Sequence, residues 1–213
     1  MRNANTPVAV EGFPFIIAGA ILTAVLYLCH LQLLALLAMA VTLFIIFFFR
    51  NPRRVTPADE KSVVAPADGV IIYLGNARED HLGEEMTKIS IFMSVFNVHI
   101  NRVPVTSRVL DYFYIPGKFL DVRDERATFE NEQSGLVLET AQGMKLVVVQ
   151  VAGLIARRIV CYAGKGDSLV RGKRYGLIRF GSRLDVYLPR EIEVKVRMGE
   201  KTVAGETVLG VLP

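Results

Sequence analysis

Cysteine is scarce in this chain of 213 residues, which has only Cys29 and Cys161. They fall in segments of different character, so a disulfide framework does not fit and a reducing compartment does. Neither stands at a metal-ligand spacing, and no metal site is expected. Histidine is nearly as rare, at positions 30, 81 and 99. Charge is missing altogether over one long stretch: Gly12 to Phe49 contains no Asp, Glu, Lys or Arg. Nucleic-acid motifs are also lacking. The net charge of +4 and pI near 9.1 come from scattered basic residues, which suit an anionic membrane surface better than a nucleic acid.

What is there begins with that uncharged stretch. A composition 52% hydrophobic with a mean hydropathy of +0.37 is too apolar for an ordinary soluble domain, and the excess is concentrated in this segment. The segment is roughly twice the length of a single bilayer crossing, which takes about 20 helical residues, so it is expected to fold back as an α-helical membrane hairpin. Cys29, His30 and Gln32 interrupt the apolar run, giving arms of about Phe13 to Leu28 and Leu33 to Phe49. Their shortness leaves two tilted spans and a re-entrant hairpin both open. Arg2 precedes the first arm, and Arg50, Arg53 and Arg54 follow the second. The positive-inside rule therefore predicts both ends on the cytoplasmic side of the cell (inner) membrane. Asn51-Pro52-Arg53-Arg54 marks the boundary, dividing an anchor of residues 1–50 from a domain of residues 51–213.

The second domain reads as mainly β, an antiparallel sandwich or barrel-like fold. Short β-branched runs lie at Gly69 to Leu74, Lys88 to Met93, Arg108 to Ile115, Gly135 to Glu139, Lys145 to Val151 and Ile155 to Ala163. One helical piece, which could instead be a loop or lid, is expected around Asp124 to Gln133. The stretch Arg179 to Pro189 reads as two strands joined at Gly181-Ser182. Glycine there permits unusual backbone angles and leaves its carbonyl open to the hydroxyl that follows, although the same pair also suits a bulge or turn.

Asp68, in Pro-Ala-Asp-Gly, sits on a turn with its carboxylate free to orient another group or to cap the turn. His99 lies in Phe96 to Pro104, whereas His81, in a charged loop, reads as solvated. Asp68, His99 and Ser182 together supply the parts of an acid–base–nucleophile arrangement, which geometry alone can establish. By charge, Arg102, Lys118, Arg157, Arg158, Arg179 and Arg183 are candidates for a substrate phosphate or carboxylate, or for surface ion pairs. Two other readings stay open on these residues: a membrane-bound serine hydrolase using Ser182, His99 and Asp68, and a non-catalytic, membrane-anchored β-domain that binds a partner. A carrier domain fits less well, since Met198-Gly199-Glu200-Lys201 is not the usual lysine-tip arrangement.

Five ordered blocks bear on the choice: Pro66 to Gly69, Phe92 to Pro104, Pro116 to Phe119, Ala156 to Ile159 and Ile178 to Arg183. Together they resemble the short bacterial and archaeal type of phosphatidylserine decarboxylase, over the whole β-rich part and the anchor. The resemblance implies self-cleavage between Gly181 and Ser182. The products would be a β chain of residues 1–181 and an α chain of residues 182–213, with Ser182 becoming a covalent pyruvoyl group. It further implies that phosphatidylserine in the membrane forms a Schiff base with that group and leaves as phosphatidylethanolamine and CO2. A homodimer is plausible on the same ground. Asp68 would orient His99, and His99 would serve as base and proton donor. The chain departs from longer family members in lacking a second histidine after His99, where Asn101 and Arg102 stand.

Overall fold

The computed structural model describes residues 6–124, 126–154, 158–179 and 181–213. The chain divides into two compact units, one running through Arg53 and the other spanning Arg54–Pro213.

In the first unit a 3-10 turn at Val10–Gly12 leads into helix α1 (Phe13–Leu28), which is followed by helix α2 (Gln32–Phe48). Pro14 falls in the first turn of α1, where a missing N–H costs nothing. The reversal comes at Cys29–Leu31, with His30 at φ +62° completing the turn. The two helices pack on each other, and Ala9 N–H donating to Phe49 O (2.8 Å) and Asn51 N–H donating to Pro7 O (2.7 Å) close the base of the hairpin. Thr23 and Thr42 turn their hydroxyls back onto carbonyls four residues earlier, so neither offers an unsatisfied donor to apolar surroundings. None of the described residues of α1 is buried, although nearly all are apolar. A helix apolar on every side and buried on none is suited to lipid. Val10–Leu28 is long and apolar enough to cross a bilayer, and it marks the protein as membrane-associated; Gln32–Phe48 is shorter.

The second unit is antiparallel β, as expected. Its strands are β1 (Ser62–Val64), β2 (Gly69–Glu79), β3 (Glu84–Met93), β4 (Ile100–Arg102), β5 (Ser107–Ile115), β6 (Gln133–Glu139), β7 (Lys145–Ala152), β8 (Ile159–Cys161), β9 (Ser168–Leu169), β10 (Arg174–Ile178), β11 (Ser182–Leu188), β12 (Glu193–Val194), β13 (Lys201–Thr202) and β14 (Val208–Val211). A curled eight-stranded sheet has the order β13-β2-β3-β11-β7-β6-β5-β9. Two three-stranded sheets, β1-β14-β12 and β4-β10-β8, accompany it. The expected helix shrinks to α3, Ala127–Glu130. Beyond it the fully buried Asn131 donates its amide to Leu120 O and Ala152 O and accepts from Leu120 N–H. Those contacts draw the backbone out of helical geometry and into β6.

Strand β11 lies at the middle of the large sheet, in register with β3 on one side and β7 on the other. Its period-two alternation separates two faces. Leu184, Val186 and Leu188 enter the main core with Ile89, Ile91, Met93, Leu136 and Val148. On the other face Tyr187 joins a second apolar cluster containing Val122, Val147, Val149 and Val151.

Candidate active site

The small sheet β4-β10-β8 hands the chain to the large sheet at Gly181-Ser182. Strand β10 ends at Ile178, whose N–H donates to His99 O (3.3 Å), so the pairing of β4 with β10 brings His99 beside the approach to that junction. Gly181 has φ +58°, in the left-handed region that glycine enters without a Cβ penalty, and there the chain turns into β11. Ser182 is the first residue of β11, wholly buried and opposite Met93 and Ala152.

His99 is 2% exposed, and its two ring nitrogens face different backbone groups. Nδ1 lies 3.0 Å from Asn97 O, and the Gly181 N–H points at Nε2 from 3.4 Å. A carbonyl only accepts and an N–H only donates. Nδ1 therefore carries the proton, while Nε2 turns its lone pair toward the Gly181-Ser182 segment. The Ser182 hydroxyl donates to Met93 Sδ at 3.5 Å, and that sulfur also receives Asn101 Nδ2 at 3.8 Å. Gln150 Nε2 donates to Asn101 Oδ1 (2.7 Å), which completes a buried polar network on this side of β11.

Asp68 stands elsewhere in the hydrogen-bond pattern. Its Oδ2 accepts from Arg54 (2.7 Å) and its Oδ1 from Ala204 N–H (2.7 Å), whereas the Asn97 carbonyl meets His99 Nδ1. Arg102, which with Asn101 follows His99 where a second histidine is lacking, donates to Gly172 O (2.9 Å). Burial and then Arg54 nearby lower its pKa, against the opposing pull of Asp68 and Glu206. Lys118 is exposed and ion-paired with Glu130 (2.8 Å). Arg158 is exposed, its carbonyl accepting from the N–H of half-buried Arg179 (3.2 Å). Arg157 lies outside the described residues.

Arg183 is buried, with each guanidinium nitrogen engaged inside the fold: Nε and one terminal nitrogen on Asp185, the same terminal nitrogen on Thr128 Oγ1, and the other on Val122 O. Lys88 Nζ reaches Asp185 from 3.1 Å, so two buried cations share one carboxylate. Burial by itself would raise the Asp185 pKa, but Arg183 and Lys88 outweigh it and hold the carboxyl below its ordinary value. This cluster borders a cleft of about 760 Å³ with Tyr73, His81 and Tyr187. His81 is not simply solvated. It stacks on Phe113 with ring centroids 3.5 Å apart and bonds to buried Glu79. Sequence reading passed over Lys88 and Asp185, for which the available signal was the Arg-Leu-Asp-Val alternation of β11.

Comparison with known proteins gives the family of the whole chain. The profile of the family described as phosphatidylserine decarboxylase matches residues 41–210. The chain is 74% identical to a phosphatidylserine decarboxylase proenzyme of Geobacter metallireducens, 72% to one of Geotalea uraniireducens and 70% to one of Geobacter sulfurreducens. Each alignment covers all of both chains. This likeness defines a carbon–carbon lyase acting as a decarboxylase. The chain belongs to the phosphatidylserine decarboxylase family, which sets aside the hydrolase and binding-module readings.

Proposed function

We propose that the chain is a proenzyme that cuts itself between Gly181 and Ser182, converts Ser182 into a pyruvoyl group and uses it to decarboxylate phosphatidylserine. One observation carries the reading: Nε2 of buried His99 faces the Gly181 amide, immediately before the buried hydroxyl of Ser182. Rotation about the Ser182 Cα–Cβ bond releases its hydroxyl from Met93 and turns it toward the Gly181 carbonyl. His99 takes the Oγ proton as Oγ bonds to the carbonyl carbon, and the proton passes to the Ser182 nitrogen as the C–N bond breaks, leaving an ester. Removal of the Ser182 Cα proton then expels the Gly181 carboxylate and leaves dehydroalanine at the new amino terminus. Tautomerisation and hydrolysis release ammonia. The residues fit this chemistry, because the acyl donor, the hydroxyl and the base belong to one short junction, and Asn97 O holds the base in the required tautomer.

The pyruvoyl group supplies an electron sink for the pair left when CO2 departs. His99 is the proton donor on the same face, oriented by Asn97 O, while Asp68, braced on Arg54 and Ala204, holds the turn before β2. Among the charged candidates, Arg102, Lys118, Arg158 and Arg179 are proposed for the anionic headgroup, as is Arg157; Arg183 acts instead by fixing β11. The apolar hairpin suits a substrate that leaves a bilayer only at high cost, about 0.8 kcal/mol per buried CH2. Arg50, Arg53 and Arg54 favour the cytoplasmic side.

The test is the mass of the purified wild-type chain, together with CO2 release from vesicles containing phosphatidylserine. Two fragments, residues 1–181 and a 182–213 fragment with a blocked amino terminus, and lipid-dependent CO2 are expected. A stable, uncut and active chain overturns the reading.

A further inference from the structure

The oxygen of the Gly181 carbonyl occupies the space that a side chain on Gly153 would need. Strand β7 ends at Ala152, directly opposite Ser182, and the next residue is Gly153. A Cβ built on Gly153 would lie 2.2 Å from Gly181 O and 3.1 Å from both the Gly181 carbonyl carbon and Val122 Cγ1, whereas real Cβ atoms essentially never come within 3.0 Å of another heavy atom. Gly153 is absent from the positive-φ glycines, so its φ does not call for glycine. The space does.

Neither side of this contact yields easily. Ser182 is held in register by Met93 and Ala152, which limits how far Gly181 can withdraw. On the opposite side Ala152 N–H donates to Glu132 O (2.9 Å), and Ala152 O accepts from Asn131 Nδ2 (2.8 Å). Asn131 is itself fully buried and tied to both backbone polar groups of Leu120.

The geometry points to Gly153 as a positioning residue for self-cleavage: its missing side chain is the slot that holds the scissile carbonyl oxygen, keeping the Gly181 carbon in line for Ser182 Oγ. The inference rests on the self-cleavage reading above. It adds no reactant to the acyl shift, in which the Oγ–C bond forms, the C–N bond breaks and the Oγ proton ends on the Ser182 nitrogen. A methyl at residue 153 displaces the carbonyl by a large fraction of an ångström, and a misplacement of about 1 Å costs on the order of 100-fold in rate.

The experiment follows Gly153→Ala and the double variant Gly153→Ala/Val122→Ala as full-length chains, beside wild type and Ser182→Ala. The double variant relieves the side-chain contact with Val122 but leaves the clash with Gly181 O. Intact mass is followed over time with and without hydroxylamine, which intercepts an ester, and proteolysis resistance is compared with that of Ser182→Ala. Wild type is expected to be cut. The double variant is expected to be as protease-resistant as Ser182→Ala, and both Gly153 variants to be cut about 100-fold more slowly, with hydroxylamine releasing the 182–213 fragment no faster than that. Cutting of either variant at the wild-type rate, release of that fragment by hydroxylamine at the wild-type rate, or loss of the fold in both overturns the assignment. Wild type left uncut overturns the self-cleavage reading itself, and the inference with it.

Discussion

Ser182→Ala is expected to remain a single chain of 213 residues with no decarboxylase activity, while folding as the wild type does. The hydroxyl donates only a long contact to the Met93 sulfur, so its removal leaves no strong buried acceptor unsatisfied. Its chemical role has no substitute, because without Oγ there is neither an ester nor an eliminable group on Cβ. His99→Ala separates base from nucleophile. The nucleophile remains and the carbonyl keeps its slot against Gly153, so self-cleavage is expected to slow by about 10²–10⁴-fold, the ordinary contribution of a positioned acid or base. Intact mass over hours to days distinguishes a chain that never cuts from one that cuts slowly. A Ser182→Ala preparation yielding residues 182–213 would remove Ser182 from the chemistry, and a His99→Ala chain processed at the wild-type rate would assign the base to another group.

How far the sequence could be read depended on whether the determining interaction was local. The hairpin reversal at Cys29–Leu31 was legible because polar residues interrupt an uncharged run. Strands β2, β3, β5, β6 and β7 were legible because each is at least seven residues long and carries an apolar run bounded by turn or charged residues. Strands of two to four residues, such as β9, β12 and β13, are too short to carry a period and form only because a longer neighbour offers a ladder. The expected helix at Asp124 to Gln133 fell short for a tertiary reason, since Asn131 bonds to backbone 11 and 21 residues away. The junction Gly181-Ser182 was visible as a glycine between two strand patterns. The partners of its neighbours were not: nothing local in Pro-Ala-Asp-Gly announces that Asp68 pairs with Arg54 and Ala204, or that Asn97 takes His99 Nδ1. Gly153 is the extreme case, an unexceptional glycine in sequence whose meaning lies in Gly181 O across the sheet.

Asp185→Asn is expected to destabilise the folded chain by about 3–5 kcal/mol, the usual cost of removing one partner from a buried ion pair. The carboxylate is 2% exposed and lies between Arg183 and Lys88, themselves 4% and 6% exposed, so its loss leaves two buried cations facing each other. The sign of the pH dependence follows from the folded state. Burial would raise the Asp185 pKa, but the two cations overcome that and bring it below the ordinary carboxylate value. A depressed carboxyl contributes its stability above the unfolded pKa and loses it as pH falls through the folded value. The gap between wild type and Asp185→Asn in urea midpoints should therefore be constant from neutral pH down to about 5 and then close as the carboxyl protonates. A gap that is absent at pH 7, or that persists undiminished in acid, would show that the cluster is not held by this charge. The location gives the effect a functional edge. Asp185 and Arg183 belong to the segment that self-cleavage would release, whereas Lys88, Val122 and Thr128 belong to the other. After the cut no peptide bond joins β11 to the rest, so residues 182–213 would be retained by the ladders of β11 to β3 and β7, of β13 to β2 and of β14 to β1, with this cluster as their buried ionic tie. The substitution should then lower the urea concentration at which the small fragment separates more than that at which the uncut Ser182→Ala chain unfolds.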